Sequence, residues 1–380
     1  MISYIIPTRN RPQRLLETLR AINSLGVHDN CGGAEVIIVD NDSCERPILP
    51  RETKCGLPIS FIRLKENIGA AARNVGAEAS DKASDWLVML DDDSYPDDAE
   101  FFANLQHVPS DVAAVSADIF LPGKTALGHA PREMGGLPEV FIGCGAAIRR
   151  GAFLELGGYD ASFNYYVEEY DLAARMMLAG YRIAFSHEFT VQHDKDLTNR
   201  DFNLILSRLV RNNGWIAGRY APDELAGAEL REVLDRYAGI ARIEGAEAGY
   251  AQGLAELHAT LAAQPRRPLN ASQWERFTGL LHVREHLSEV HARQRFQSAT
   301  IVDAGKNAWA VAQVLKELGV RLIEDGEEAE AHVIGTLSPG PMMDSLIRRT
   351  RLRRPQGPRL LAPWLPAPLF PGAKTAIAAA

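Results

Sequence analysis

Three consecutive aspartates are the residues of this sequence whose type and spacing most clearly offer chemistry. Asp91, Asp92 and Asp93 follow the apolar run "WLVML" that ends at Leu90. Adjacent carboxylates repel one another, so such a run belongs either in a solvated loop before a helix or around a cation that offsets the charge. Mg²⁺ and Mn²⁺ favour oxygen ligands, and Asp91 and Asp93 face the same side of an extended chain. The residues alone leave both interpretations open.

Polar side chains also follow the predicted strands that come before these aspartates in the sequence. From Met1 to about residue 130, short β-branched runs alternate with helical stretches, as in βαβ units of a parallel sheet. Thr8 and Arg9 follow the first strand, and Asp40 follows the second. We expect a helix directly after the aspartates, with Pro96 near its first turn. Ligands of open α/β sheets bind at the carboxyl ends of strands, so we expect a site there.

The rest of the chain has a different rhythm, and we expect three parts. An N-terminal α/β domain covers residues 1–200, and apolar residues at helical spacing predict a helical extension over 201–296. A β-α-β-β pattern predicts a small Rossmann-like α/β unit over 297–380 that ends in a basic, proline-rich tail. The loop at Gly305 has the shape of a dinucleotide-binding turn but lacks a G-x-G-x-x-G array.

Composition excludes several classes of protein. The 380 residues are 46% hydrophobic and 24% charged, which is typical of a folded globular chain. The formal charge of -8 argues against nucleic acid as a partner. Four cysteines without CxxC spacing indicate reduced thiols in the cytoplasm. We expect neither a signal peptide nor a membrane span, because the first residues form a strand-like run and no apolar run reaches about 18 residues.

The order of the motifs is more specific than any one of them. The chain carries, in this order, "PTRN", "VDND", "ENIGAAARNVGA", "MLDDDS", "GCGAAIRR", "GGYD", "EEYDLAARMMLAG" and "QHD". Over about residues 1–200 this order resembles the family 2 glycosyltransferases of the GT-A fold. The resemblance implies a mainly parallel sheet flanked by helices, the nucleotide-diphospho-sugar transferase fold. It also implies metal-dependent, inverting transfer of a sugar from a UDP- or dTDP-sugar, with a GDP-sugar not excluded, to an acceptor hydroxyl during polysaccharide, glycolipid or glycoconjugate biosynthesis.

Donor and metal residues follow from this resemblance, position by position. The positions that match the donor-binding motifs are Pro7, Thr8, Arg9, Asp40, Asn67, Gly69, Arg73, Asp91 and Asp92. In this reading Asp40 accepts a hydrogen bond from a base edge and Arg73 meets a phosphate. Asp91, Asp93 and His193 match the residues that hold the divalent cation, Mn²⁺ or Mg²⁺. The alternative for His193 is an ordinary surface or core histidine.

Acceptor chemistry is assigned by the same resemblance. "VEEYDL" is similar to the family's E-D-x-D-L motif, so Glu169 is the expected general base, although it replaces the usual aspartate and is one methylene longer. Glu168 and the two glycines Gly143 and Gly145 match the acceptor side. Asp171 and Arg175, at i,i+4 spacing, are expected to form a structural ion pair. The acceptor would be a glycan, a lipid-linked sugar or a small molecule.

Three other interpretations stay open at this point. The scaffold could bind a nucleotide sugar without catalysis, as a regulatory protein. His282, Glu285 and His286 fit the H-x-x-E-H pattern of zinc hydrolases, or simply a polar helix face. Five arginines within residues 348–354, close to Trp364, could rest on the inner face of an anionic membrane, or could belong to a disordered or docking tail.

Overall fold

A sheet of eight strands forms the N-terminal part of the molecule. The structure is a computed structural model that describes residues 1–26, 28–126, 128–195, 201–324, 328–353 and 357–370. The strands of this sheet are β1 (Ile2–Thr8), β2 (Ala34–Asp40), β3 (Ile59–Arg63), β4 (Trp86–Met89), β5 (Ser94–Pro96), β6 (Val112–Phe120), β7 (Ala146–Arg149) and β8 (Arg182–His193). Their spatial order is β3-β2-β1-β4-β7-β6-β8-β5.

Strand direction confirms the predicted mainly parallel sheet. Strands β3, β2, β1 and β4 run parallel to one another, and β6 runs parallel to β8. Strand β7 is antiparallel to both β4 and β6, and β5 is antiparallel to β8. The parallel strands β1 and β2 are almost entirely buried and apolar, as expected of a sheet covered on both faces.

Among the described residues, five α-helices flank this sheet, and one differs from the prediction. They are α1 (Pro12–Ser24), α2 (Ala72–Ala79), α3 (Glu100–Asn104), α4 (Arg150–Glu155) and α5 (Glu168–Leu178). The expected helix start at Pro96 is wrong, because Pro96 ends the edge strand β5 and α3 begins at Glu100. An edge strand tolerates a proline because one side of it needs no ladder hydrogen bond.

The second part of the chain is helical and the third is a small parallel sheet. The helices are α6 (Phe202–Tyr220), α7 (Asp223–Glu244), α8 (Glu247–Thr260), α9 (Ala271–Thr278) and α10 (Leu280–Arg293). The small unit contains β9 (Ser298–Val302), α11 (Ala308–Glu317), β10 (Arg321–Leu322), β11 (Ala331–Ile334), α12 (Pro339–Leu352) and β12 (Arg359–Leu361). Its strands are parallel in the order β10-β9-β11-β12.

One continuous apolar core joins the three parts. It includes Phe163 before α5, Trp215 of α6, Trp274 of α9 and Phe296 before β9, all buried. Such a shared core holds the helical segment and the small unit against the large sheet. Domain boundaries at residues 200 and 296 stay predictions.

Part of the basic tail packs within the folded C-terminal unit. Arg348 and Arg349 of α12 form ion pairs with Asp303, and Trp364 is only 2% exposed. Fewer of these residues are therefore available for a membrane surface, and Arg354 lies outside the described residues. In the part of the chain that the structure describes, no helix is long and apolar enough to cross a bilayer.

Candidate functional site

A cleft of about 610 Å³ opens at the carboxyl ends of β1 and β4 and beside the start of α5. It brings together most of the residues that the sequence predicted. The predicted residues that line it are Pro7, Thr8, Arg9, Arg73, Asp91, Asp92, Asp93, Gly143, Glu168, Glu169 and His193. The predicted residues outside this lining are Asp40, Asn67, Gly69 and Gly145.

The three aspartates have different surroundings. Asp91 is about one third exposed and forms an ion pair with Arg73. Asp92 is buried, accepts a hydrogen bond of 2.7 Å from Thr8 Oγ1 and pairs with Arg11. Asp93 is also buried, with Arg11 Nη1 at 2.8 Å. Two arginines therefore offset the crowded negative charge, and Arg11 is a residue that the sequence reasoning missed.

Burial and charge have opposite effects on the pKa values of this cluster. Burial raises the pKa of Asp92 to about 7, although Arg11 and Thr8 act in the other direction. Burial also acts to raise the pKa of Asp93, but the contacts with His193 and Arg11 outweigh it and lower that pKa. At neutral pH Asp93 is therefore a carboxylate, while Asp92 is close to its titration midpoint.

His193, the last residue of β8, lies against the aspartates. Its Nε2 is 3.5 Å from Asp93 Oδ1, and its Nδ1 is 2.9 Å from Glu133 Oε2 and 3.5 Å from Cys144 Sγ. Burial acts to lower the pKa of His193, but these contacts outweigh it and raise the pKa. Lys195 Nζ lies 2.6 Å from the other oxygen of Glu133. Glu133 and Lys195 carry no motif, so the sequence offered no signal for them.

The donor atoms at this end of the cleft fit a divalent cation. Atoms of Asp91, Cys144 and His193 all lie within 4.8 Å of one another. Oδ1 of Asp93 is buried and lies 3.5 Å from His193 Nε2, too far for a good hydrogen bond, so a cation or a closer donor would reduce the cost of burying it. The predicted residues Asp91 and His193 therefore lie where a cation could be held, together with Cys144, and the predicted ligand Asp93 contacts the same histidine.

Glu168 and Glu169 form the first turn of α5 at the other side of the cleft. Glu169 Oε1 accepts a hydrogen bond of 3.1 Å from the backbone N–H of Gly143. A Cβ atom at Gly143 would lie 2.9 Å from this oxygen, so the glycine permits the close approach. Burial raises the pKa of both carboxyl groups, each against the opposing charge of Arg73, and the charge of Glu169 raises the pKa of Glu168 further.

Helix α5 is fixed by a buried charge network. Asp171 accepts hydrogen bonds from Arg175 Nε at 2.8 Å, from Arg219 Nη1 at 2.8 Å and from the Tyr220 hydroxyl at 2.6 Å. The predicted ion pair between Asp171 and Arg175 is confirmed. Arg219 and Tyr220 belong to α6, so the helical segment positions the helix that carries Glu169.

Asn67 and Gly69 lie outside the cleft lining and contact residues that line it. Asn41, which lines the cleft, donates to the Gly69 carbonyl at 3.0 Å, and Asn67 Oδ1 accepts from the Tyr165 hydroxyl at 3.3 Å. Gly69 has a φ of +66°, and a Cβ atom there would lie 2.1 Å from the Asn164 carbonyl oxygen. Only glycine fits such a turn without strain.

Asp40 and Gly145 are buried next to the cleft rather than in its lining. Asp40 ends β2, and its Oδ1 accepts a hydrogen bond of 3.0 Å from the backbone N–H of Ser43. Its Oδ2 has no hydrogen-bond partner and lies 3.6 Å from Arg63 Nε. Gly145 packs against Ile119, where a Cβ atom would approach to 2.8 Å. Gly145 therefore serves packing in this structure.

A second cavity of about 740 Å³ lies between the large sheet and the small C-terminal unit. It shares Met134, Gly135 and Lys306 with the cleft. Lys306, in the loop between β9 and α11, has its Nζ 4.0 Å from the centre of the Tyr170 ring. Burial lowers the pKa of Lys306 to about 7, Arg236 lowers it further, and Glu169 opposes the shift. The C-terminal unit thus contributes a side chain to the cleft.

The zinc-hydrolase pattern does not form a comparable site. His282 Nε2 lies 3.4 Å from Glu139 Oε1, and burial lowers the pKa values of His282 and His286. Within the described residues, His282, Glu285 and His286 do not form a group of three donors close enough to share an ion. Their pattern marks one face of α10.

Similarity to known proteins supports one family. Residues 3–157 match the model of glycosyl transferase family 2. An uncharacterized glycosyltransferase of Haemophilus influenzae is 28% identical over 197 residues, which are 47% of this chain and 62% of the relative. The O-antigen chain rhamnosyltransferase RfbN of Salmonella typhimurium is 27% identical over 221 residues, 53% of this chain and 68% of RfbN. The chain therefore spans less than two thirds of the Haemophilus relative.

Solved structures with a similar arrangement are distant in sequence. Residues 1–349 of S. aureus TarS are 14% identical with a TM-score of 0.46, covering 77% of this chain and 87% of that one. The mannosyltransferase PcManGT of Pyrobaculum calidifontis is 18% identical with a TM-score of 0.46, covering 83% and 86%. These two structures are too distant to carry an argument about family. Over residues 3–157 the sequence matches glycosyl transferase family 2, the family that the order of its motifs predicted.

Proposed function

We propose that this protein transfers a sugar from a nucleotide-diphosphate sugar to an acceptor hydroxyl, with inversion at the anomeric carbon. One observation supports the proposal: a single cleft is lined by side chains that could hold a cation and by the partly buried carboxyl group of Glu169, a candidate base. Arg73 of the same cleft pairs with Asp91, and its charge also acts on Glu169. Transfer from a diphosphate donor to a hydroxyl needs both groups in one cleft.

On the donor side, we propose that Pro7, Thr8 and Arg9 contact the nucleotide, with Asp40 as acceptor for a base edge. Asp91, Asp93 and His193 would hold Mn²⁺ or Mg²⁺. A bound cation would stabilise the negative charge that develops on the departing diphosphate. Arg73 would add a fixed positive charge beside the same phosphates.

On the acceptor side, we propose Glu169 as the general base. A sugar hydroxyl is a weak nucleophile, and a positioned base typically contributes about 10²- to 10⁴-fold. Burial raises the pKa of Glu169, which makes its carboxylate a stronger base near neutral pH. The hydrogen bond from Gly143 fixes one of its oxygens, so the other can accept the proton.

The acceptor itself is open to test. RfbN is named an O-antigen chain rhamnosyltransferase, so bacterial surface glycans are one class to try, with UDP-, dTDP- and GDP-sugars as donors. A lipid-linked acceptor would be met at the inner face of a membrane, where the exposed Arg353 of the basic segment could contact anionic lipid. Vesicles with and without anionic lipid, sedimented with the protein, test that contact.

A binding protein without catalysis is the second candidate, and one contact favours it. Arg11 pairs with Asp93, and an arginine at a ligand carboxylate competes with a cation for the same charge. In that case the protein would bind a nucleotide sugar without turning it over. Turnover therefore separates the two candidates.

The experiment combines binding with nucleotide release. UDP-GlcNAc, dTDP-rhamnose and GDP-mannose are tested with Mn²⁺ for thermal stabilisation, and for release of nucleotide with and without surface glycans as acceptor. We expect one donor to stabilise the wild type and to be consumed, and Asp93→Ala to lose both effects. Asp97→Ala is the matched control, since Asp97 is an exposed aspartate four residues after Asp93 whose side chain accepts a hydrogen bond from Gln192. Binding without consumption would favour the second candidate, and equal responses of both variants would refute the donor site.

A further inference from the structure

We propose that the sulfur of Cys144 is an additional ligand of the cation at the aspartate cluster, so that the site binds Co²⁺ and Zn²⁺ more tightly than Mg²⁺ or Mn²⁺. This inference rests on the cation site of the proposed function. It goes beyond it by adding a soft ligand to Asp91, Asp93 and His193. The motif "GCGAAIRR" placed Cys144 between two glycines of the acceptor side and predicted no metal role for its thiol.

The position of the thiol is the first argument. Cys144 lies between two glycines directly before β7, is 5% exposed, and lines the cleft. Its Sγ is 3.5 Å from His193 Nδ1, and a donor atom of Asp91 lies within 4.8 Å of both. Zinc binds sulfur at about 2.3 Å and nitrogen at about 2.0–2.1 Å, so a tetrahedral ion separates the two by about 3.5 Å. The observed spacing therefore suits one ion shared by both side chains.

The second argument is an independent one, from an oxygen atom. Asp93 is 4% exposed, and its Oδ1 has no hydrogen-bond partner. This oxygen is 3.5 Å from His193 Nε2, and the thiol is 3.5 Å from Nδ1 of the same ring. Glu133, which contacts His193 Nδ1, is also paired with Lys195, so its charge stays compensated if the imidazole turns to an ion.

The chemistry of sulfur sets the selectivity. A cysteine binds a metal as the thiolate, so the S–H bond breaks, a sulfur–metal bond forms, and the proton is released to the buffer. Thiolate ligands select Zn²⁺ and its neighbours over Mg²⁺ and Mn²⁺, which prefer oxygen. The two hard ions would be held by Asp91, Asp93 and His193, whereas the softer ions would gain the bond to Cys144.

Cobalt reports a sulfur ligand directly, without any turnover. The protein of 380 residues, stripped of metal, is titrated with Co²⁺ while its absorption is recorded. We expect a near-ultraviolet sulfur-to-cobalt charge-transfer band that saturates at one equivalent, and that is missing in Cys144→Ser. We also expect the Zn²⁺ affinity of that variant, measured by competition, to fall at least about 10- to 100-fold. Removing a residue that only hydrogen-bonds to a metal ligand already lowers metal affinity by that factor. Mn²⁺ affinity should change little.

Two further variants make every outcome decisive. Cys55→Ser removes a half-buried thiol whose sulfur contacts Thr53 and lies outside the cleft lining, so it should keep the band. Asp93→Ala should weaken the binding of every cation. Cobalt binding without the band, lost in Asp93→Ala, would overturn the sulfur ligand and leave the cation site standing. No cobalt binding by the wild type would overturn the cation site itself, and the ligand with it.

Discussion

The buried carboxylate of Asp171 is where a single substitution should cost most stability. Asp171→Ala removes three hydrogen bonds of 2.6–2.8 Å and leaves two guanidinium groups without that partner. Removing one member of a buried ion pair costs about 3–5 kcal/mol, because a charge stays buried without compensation. The network also ties α5 to α6, so both stability and the position of Glu169 should suffer.

The remaining partners of the two arginines place the loss at the low end of this range. Arg219 keeps Asp160 at 2.7 Å and the Gln264 side chain at 2.6 Å. Arg175 keeps two backbone carbonyl groups at 2.6 Å. Neither charge is left wholly unpaired, so we expect a loss of about 3 kcal/mol in the free energy of unfolding.

Urea unfolding followed by circular dichroism measures this loss, with a matched aspartate as control. Asp111 pairs with Arg182 through two hydrogen bonds of 2.6 and 3.2 Å, but both side chains are about half exposed. Solvent-exposed pairs contribute about 0–1 kcal/mol, so Asp111→Ala should cost no more than that. If Asp171→Ala lost less than Asp111→Ala, or unfolded like the wild type, the network would not hold α5 as argued.

Three further predictions address the base, a glycine and a lysine. Glu169→Gln should reduce sugar transfer by about 10²- to 10⁴-fold while thermal stabilisation by the donor is kept, and loss of donor binding would contradict the role as base. Gly69→Ala should lower the free energy of unfolding in urea by more than about 1 kcal/mol, because its Cβ would meet the Asn164 carbonyl. Gly26→Ala, also at positive φ but in open space, should lower it by less than Gly69→Ala does. Burial lowers the pKa of Lys306 from 10.5 to about 7. Between these two pH values the lysine is protonated in the unfolded chain and neutral in the folded one. The free energy of unfolding should therefore rise with pH over this range. Urea titrations at stepped pH should show a shallower rise in Lys306→Met, and an unchanged slope would mean that the lysine keeps its ordinary pKa.

Local patterns predicted the strands and the ends at which the cleft lies. Apolar runs followed by polar residues placed Thr8 and Asp91 at neighbouring strand ends, because parallel strands bring their carboxyl ends together. The same reasoning misplaced Pro96 in a helix, since proline suits a first helical turn and an edge strand equally well. A three-residue edge strand has too few side chains for its period to be recognised.

Partners that are distant in sequence could not be predicted. Arg11 reaches Asp92 across 81 residues, and nothing in the spacing of either shows the contact. Arg11 directly follows the motif "PTRN" at the end of the first strand, so its charge near a predicted acidic site is the signal that could have indicated this contact. Glu133 and Lys195 lie in stretches without periodicity, where sequence carries little information about geometry.

The small C-terminal unit is connected to the cation end of the cleft through a short chain of contacts. Asp344 of α12 accepts hydrogen bonds of 2.8 and 2.9 Å from the side chain and backbone N–H of Arg132. The next residue, Glu133, contacts His193, and a Cβ atom at Gly340 would lie 2.4 Å from the Glu133 carbonyl oxygen. Helix α12 therefore fixes the segment that orients the histidine, while Lys306 of the same unit lines the cleft beside Glu169. Because one unit contacts both ends of the cleft, it is better understood as a structural part of the site than as a separate module attached to it.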